Sequence, residues 1–303
     1  MTTAAPTTAM TSGASADLLA DRRVPQNRRK LRPVTVAAYV LLTIIAITWL
    51  MPIIWAVITS FKPETEAAAY PITIVPESGF TAEAYRDVLV AGLLPRWAFN
   101  SLLTSAAITA ITVVISALAG YALSRMDFPG RRISLAVIVA SILIPAQILI
   151  VPLFQQMLDF NLVDTYWAII LPQVVAAPMV FILKRFFDAI PHELEEAAMI
   201  DGASRMRIFL QIVLPLSRPI LGAVSIFVFI GAWNNFLWPF IATNDANIMT
   251  LPVGLQTVLT FYGIQYAHVM AQAVLAAVPL IIAFLFFQRQ IIKGIATSGI
   301  TGT

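Results

Sequence analysis

Apolar runs free of Asp, Glu, Lys and Arg occupy 33–61, 97–124, 133–158, 165–183, 219–244 and 246–288, and the charged residues gather in the gaps between them. A helix that crosses a bilayer needs about 20 mostly apolar residues, so each of the first five runs reads as one crossing. The sixth is too long for one. Its first part carries Asn247, Thr250, Pro252, Gly254 and Gly263, residues that favour turns and loops. A loop is expected there, with a helix from about His268. The reading is all-α: a polytopic membrane protein with six transmembrane helices near 35–60, 99–124, 133–157, 165–185, 218–242 and 268–291. The strict alternation of a membrane β-barrel is missing. Helices pair their backbone groups internally, as hydrocarbon demands.

Composition agrees. Of 303 residues, 59% are hydrophobic and 12% charged, against about 25% charged in soluble domains. A soluble fold of this length would have to hide more apolar surface than its core can hold. The net charge of +3 leaves no nucleic-acid footprint. With no cysteine there is no disulfide, thiol chemistry or cysteine metal site.

Lys and Arg divide unevenly between the two sides. Lys62, Arg86 and Arg96 lie on one; the other sixteen of the nineteen, from Arg22 to Lys293, lie on the other. By the positive-inside rule both termini and the 184–218 loop are cytoplasmic, in a multi-pass protein of the cell membrane. Residues 1–33, rich in Thr, Ala and Ser and then basic, read as a disordered cytoplasmic tail lying near anionic lipid. Residues 34–293 form the transmembrane domain, with a cytoplasmic loop at 186–217, and 294–303 a short cytoplasmic tail. The first apolar run is too long for a signal-peptide core, and no small-residue cleavage site follows it.

No charged residue lies mid-span. Ion-coupled carriers depend on intramembrane carboxylates, His or Lys, and no channel filter ring is visible. His192 and His268 sit at span edges and make no metal pair. A Ser-His-Asp set and a G-x-x-x-x-G-K phosphate loop are also missing. Neither a membrane-embedded enzyme nor a self-powered carrier finds its residues here. A chain of this kind that moves a solute uphill takes its energy from a partner.

The cytoplasmic loop is the most informative segment. Pro191 suits the first position of a helix, and Glu193, Glu195 and Glu196 fall in its early turns, where the helix dipole favours negative charge. Gly202 suits a left-handed cap. Ser204 can cap a second helix, which Pro215 ends or kinks. Leu194, Ala197 and Ala198 share one face by their spacing, and small alanines permit close approach of another surface. An ordinary amphipathic connecting loop would show the same spacing.

Glu196-Ala197-Ala198, with Gly202 behind it and Ile212-Val213-Leu214-Pro215 after a nine-residue gap, resembles the signature of permease subunits of binding-protein-dependent ATP-binding-cassette importers. The fuller run from Pro191 to Ser204 resembles the sugar-importer branch, the maltose-type second permease. Supporting pieces cover most of the chain: Phe61-Lys62-Pro63, Asn100-Ser101-Leu102, Pro145-Ala146-Gln147, Pro152-Leu153-Phe154 and Trp233-Asn234-Asn235-Phe236. The resemblance implies the type I importer permease fold and a non-catalytic subunit that couples to an ATPase. Glu195, Glu196, Ala197, Ala198, Asp201, Gly202, Leu214 and Pro215 would form the coupling element. Its first helix would seat in a cleft of a cytoplasmic ATPase, with Glu196, Ala197 and Ala198 facing that cleft. The implied partners are a second permease, two ATPase subunits that bind ATP and Mg, and an extracytoplasmic solute-binding protein. The chain itself would hold no cofactor and no metal. Segment 243–267 would reach into the binding protein, and the Gly-rich C-terminus would touch the ATPase interface.

Trp233, Asn234, Asn235 and Trp238 form the densest polar-aromatic group in a span. Sugars stack on aromatic rings and hydrogen-bond to amides, so these residues, with Tyr121, Gln147, Gln173 and Ser225, are candidates for a solute path. Intramembrane Asn also serves as interhelical glue, and Trp marks membrane interfaces. Pro145 and Pro152 are expected to bend the third span. A neutral di- or oligosaccharide is the expected solute, with a glycerol phosphodiester as the alternative.

Overall fold

The computed structural model describes residues 33–71, 73–90, 92–261 and 265–300. Residues 1–32 of the expected N-terminal tail and 301–303 of the expected C-terminal tail lie outside them. Among the described residues all regular structure is helical. The chain divides into two compact units, Met1–Pro52 and Ile53–Thr303.

In the first unit the described part belongs to α1 (Pro33–Ser60). Its side chains as far as Pro52 are almost all exposed, Leu41, Leu42 and Trp49 among them. A helix apolar on every side is suited to lipid. Thr43 and Thr48 return their hydroxyls to the carbonyls of Tyr39 and Ile44 at 2.8 and 2.9 Å, so neither faces hydrocarbon unpaired.

In the second unit, α2 (Glu64–Ala67) and α3 (Glu83–Val90) precede α4 (Leu94–Arg125). Then come α5 (Arg131–Ser141), α6 (Ile150–Asp159), α7 (Tyr166–Ile170) and α8 (Ala177–Asp188). The loop region holds α9 (Glu193–Ile200), α10 (Arg205–Ile208) and α11 (Leu214–Leu216). Last are α12 (Arg218–Trp233), α13 (Leu237–Ala242), α14 (Leu251–Phe261) and α15 (Tyr266–Ile300).

The central helix is α4, packed against α8, α12 and α14. Gly120 makes the α4–α8 approach possible: a Cβ there would meet the Lys184 nitrogen at 3.1 Å and Leu183 and Phe187 at 3.4 Å. Around that crossing Tyr121, Leu183, Phe187, Ile208, Phe209, Val213 and Val224 form a buried core. At the other end of α4, Val88, Leu94, Trp97, Trp233 and Leu251 form a second.

By length and composition α1 and α4 are each an unbroken membrane span, and up to five spans result if each bent pair counts once. The third is bent by 96° between Arg131–Ser141 and Ala146–Asp159, and the fourth by 48° between Tyr166–Gln173 and Ala177–Asp188. Pro145 sits at the first break, as expected. Pro152 does not bend the chain, because it falls in the first turn of α6, where its missing N–H has no helical partner to lose.

Two other expectations change. The fifth span, expected over 218–242, breaks after Trp233: Asn234 donates its amide to the Ile230 carbonyl at 3.0 Å, and Asn235 Oδ1 accepts from the Trp238 N–H at 3.4 Å. Such side chains compete with the helix ladder for backbone groups. The expected loop ahead of His268 contains α14. Pro252 lies in its first turn, where proline is tolerated, and Gly254 lies beneath the Trp97 ring. The final helix runs to Ile300, so 294–300 of the expected tail are helical.

Candidate functional site

The loop after α8 is assembled by local chemistry. Three acidic residues, Glu193, Glu195 and Glu196, stand in the first turn of α9, where the N-terminal dipole holds them. Gly202 ends the helix at φ +79°. Its N–H donates to Met199 O at 3.0 Å, and the Ala203 N–H to Ala198 O at 2.9 Å, the pair of bonds that defines a Schellman cap. Ser204 Oγ accepts from the Arg207 N–H at 3.3 Å and starts α10. A π-turn over Phe209–Val213 follows, and Ser217, fully buried, returns its hydroxyl to Val213 O at 2.7 Å. Pro215 and Pro219 flank the point where the chain turns by 79° into α12.

The two consecutive glutamates of α9 differ in burial. Glu195 is buried, its carboxylate 3.0 Å from Arg125 Nε with side-chain exposures of 5% and 1%. Glu196 and Ala197 are exposed, with Leu194, Met199 and Ile200 beside them. Ala198 is half-buried and faces a shallow cavity of about 200 Å³ between α9 and α10, which Asp201, Ala203 and Arg207 also line. Leu214 and Pro215 are half-buried at the re-entry point. Of the expected coupling residues, Glu195 thus faces this chain's own interior, while Glu196 and Ala197 are open to a partner.

Arg125 was not singled out by sequence reasoning beyond its side of the membrane. It is the last residue of α4. Nη2 donates to Phe187 O at 2.6 Å and to Ile190 O, and Nη1 donates to the His192 ring. Its carbonyl accepts from Arg205 Nη1 at 3.2 Å. Nearby, Ser124 donates to Asp188 at 2.7 Å, and Lys184 pairs with the same carboxylate at 2.6 Å.

The solute-path candidates separate into three groups. Gln147, Asn235 and Trp238, joined by Gln173, line a cavity of about 360 Å³ at the breaks in the third, fourth and fifth spans. There Asn235 donates to Gln173 at 2.6 Å, and the Trp238 indole N–H donates to Ala168 O at 2.9 Å. Tyr121 and Trp233 are in the two cores instead. Tyr121 packs on Phe209 at 4.9 Å between ring centroids, and Trp233 stacks on Phe229 at 5.9 Å. Asn234 and Ser225 spend their side chains on their own helix. Trp233 and Asn234 do not line the cavity: the first is packed in the core and the second turns its amide back to its own helix.

The segment between α13 and α14 is held by side chains. Asn100, fully buried, donates to the carbonyls of Asn247 and Met249, each at 2.9 Å, and its own carbonyl oxygen accepts from Tyr166 OH at 2.8 Å. Ser101 Oγ accepts from the Leu251 N–H at 2.8 Å, and the Trp97 indole donates to Ala246 O at 2.8 Å. Asp164 accepts from the N–H groups of Asn244 and Asp245. Segment 243–251 is therefore pinned onto α4, and α14 follows it. Residues 262–264 of the segment expected to meet the binding protein lie outside the described residues.

With that geometry in hand, similarity to known proteins is specific. Residues 112–297 match the family model "Binding-protein-dependent transport system inner membrane component". The arabinooligosaccharides transport system permease protein AraQ of Halalkalibacterium halodurans is 39% identical over 85% of this chain and 93% of its own. The trehalose/maltose transport system permease protein MalG of Thermococcus litoralis is 35% identical over 86% and 94%. The sn-glycerol-3-phosphate transport system permease protein UgpE of Agrobacterium fabrum is 32% identical over 87% and 97%. A solved bacterial ABC transporter involved in the import of the acidic polysaccharide alginate shares the fold. It superposes with a TM-score of 0.77 at 23% identity, over 88% of this chain and 99% of that one.

Proposed function

The chain belongs to the family of binding-protein-dependent transport system inner membrane components, and from that premise we propose that it is one of two permeases in an ATP-driven carbohydrate importer. Its own role is to form half of the solute pore and to couple that pore to ATP hydrolysis through α9. ATP and Mg bind the two partner ATPase subunits. An extracytoplasmic binding protein delivers the solute. The division of Lys and Arg along the sequence supports a cytoplasmic side for both termini and for α9.

One observation carries this reading. The Schellman cap at Gly202 and the buried Glu195–Arg125 pair hold α9 in one orientation, and that orientation leaves Glu196 and Ala197 exposed. Such a helix can move as a rigid lever against the core beneath it. The cavity bounded by Gln147, Gln173, Asn235 and Trp238 is our candidate for the solute path. It lies where three spans are broken, and irregular backbone at membrane depth is tolerated where it lines a cavity or is buried in protein. Its polar side chains are chiefly amides, and among the described residues no charged side chain lines it, which suits neutral hydroxyl-bearing solutes. The arabinooligosaccharide and trehalose/maltose permeases among the relatives support a di- or oligosaccharide. The glycerol phosphate permease supports a phosphorylated solute instead, and the lack of a lining cation weighs against it.

The test is co-expression with the partner permease, ATPase and binding protein, followed by reconstitution in liposomes. ATP-dependent uptake of a neutral oligosaccharide that fails without the binding protein agrees with the proposal. Uptake by this chain alone, driven by an ion gradient, contradicts it.

A further inference from the structure

We infer that Arg125 is the positioning residue that sets the angle of the coupling helix and ties it to the central span α4, with Glu195 as its partner, so that two adjacent glutamates divide two tasks. The inference rests on the reading of α9 as the coupling helix.

A guanidinium whose side chain is 1% exposed is expensive to bury unless its donors are used. Arg125 spends them along one short stretch: the carbonyls of Phe187 and Ile190, the ring of His192, and the carboxylate of Glu195. Those four positions are the link from α8 into α9. The Arg125 carbonyl then accepts from Arg205 at the start of α10. A single residue at the end of α4 thus holds the chain on both sides of the coupling helix. The planar, five-donor fork of arginine can do this, and the point charge of lysine cannot.

The Glu195 contact differs from the others. Nε and Oε1 are 3.0 Å apart, yet the N–H is not aligned on the oxygen, and among the described residues neither atom makes a directed hydrogen bond. The charges hold each other without a directional bond. This leaves α9 anchored by charge while its exact tilt is set by the carbonyl and imidazole contacts. A push on the exposed Glu196–Ala197 face therefore reaches α4 chiefly through Arg125, which touches both ends of the α8–α9 link and the helix itself. Tyr121, one turn earlier on α4, adds a contact from its hydroxyl to Arg205 O at 3.4 Å.

The experiment uses the complete reconstituted transporter. The chain has no cysteine, so Ile200→Cys supplies a unique crosslinking site on exposed α9. In Arg125→Lys and, separately, Glu195→Gln, the crosslink to the ATPase is expected to persist within about twofold, while solute moved per ATP hydrolysed falls about tenfold, the size of an ordinary coupling energy. Glu196→Gln is expected to weaken the crosslink itself. If both inward variants keep the unmodified solute-to-ATP ratio, or lose crosslink and transport in equal proportion, Arg125 serves folding or docking alone and the inference is overturned. If the parent Ile200→Cys chain never crosslinks to the ATPase, the fault lies instead with the reading of α9.

Discussion

Gly254 lies directly beneath Trp97: a Cβ at Gly254 would sit 2.1 Å from the indole. The ring cannot give way, because it is buried and its N–H is held by Ala246 O at 2.8 Å. Gly254→Ala should therefore cost about 1–3 kcal/mol as an overpacked contact. The check is thermal unfolding in detergent, where the variant should melt several degrees lower. An unchanged midpoint would mean that the two side-chain positions are not in contact.

Asn100 should prove the most sensitive single residue on the N-terminal half of α4. Asn100→Leu removes both donors to 247 and 249 and the acceptor for Tyr166. Each buried group left without a partner costs about 1–3 kcal/mol. Hydrogen exchange should speed up across 244–251 while α9 stays protected. Tyr166→Phe, which removes one bond only, should give a smaller effect in the same segment.

Glu66 gives a local pH dependence outside the membrane. Its carboxylate accepts from the Ser78 hydroxyl and N–H and from the Glu77 N–H. The Ser78 hydroxyl is the leading cause that holds its pKa below the ordinary 4.5. A lowered carboxylate pKa means the turn is favoured above pH 4.5 and loses that support as pH falls through the lower folded value. Amide exchange at Glu77 and Ser78 should approach that of Glu66→Gln on acidification and fall below it at neutral pH. Equal exchange at both pH values would contradict the contact.

The cavity residues should separate by kinetics. Gln147→Ala and Asn235→Ala should raise the KM for uptake about fivefold each, the effect of one hydrogen bond near 1 kcal/mol; the melting point should stay nearly unchanged in Gln147→Ala and fall in Asn235→Ala, which also loses the bonds to Gln173 and Trp238. Trp233→Leu should do the reverse, because Trp233 is 3% exposed and packed in the core. Transport kinetics alongside thermal unfolding would decide between these patterns.

Much of this was legible from sequence because it is governed by local rules. The apolar runs placed the helices. Gly202 was readable as a cap because a left-handed residue after an amphipathic turn calls for glycine, and Pro145 as a bend because it lacks an N–H. Ser204 and Pro215 followed the same logic. What stayed hidden depends on distance. Arg125 and Glu195 are 70 positions apart, and nothing in either residue's neighbourhood announces the other. Composition marked Tyr121 and Trp233 as candidates for a solute path but could not say which way they face. Only the packing of α4 against α8, α12 and α14 turns them into cores. The break at Asn234 was obscured for a related reason, since the same amides that suit a pore also compete for helix carbonyls.

Site-specific crosslinking from α9 tests the central claim most directly. With Ala197→Cys as the sole cysteine of the complete transporter, the claim predicts crosslinks to the ATPase subunit that change with nucleotide. It also predicts that they are lost in Gly202→Val, where a β-branched residue at φ +79° is strained by about 1–2 kcal/mol. Labelling of the same cysteine from the cell exterior, or crosslinks that never reach a nucleotide-hydrolysing protein, would contradict it.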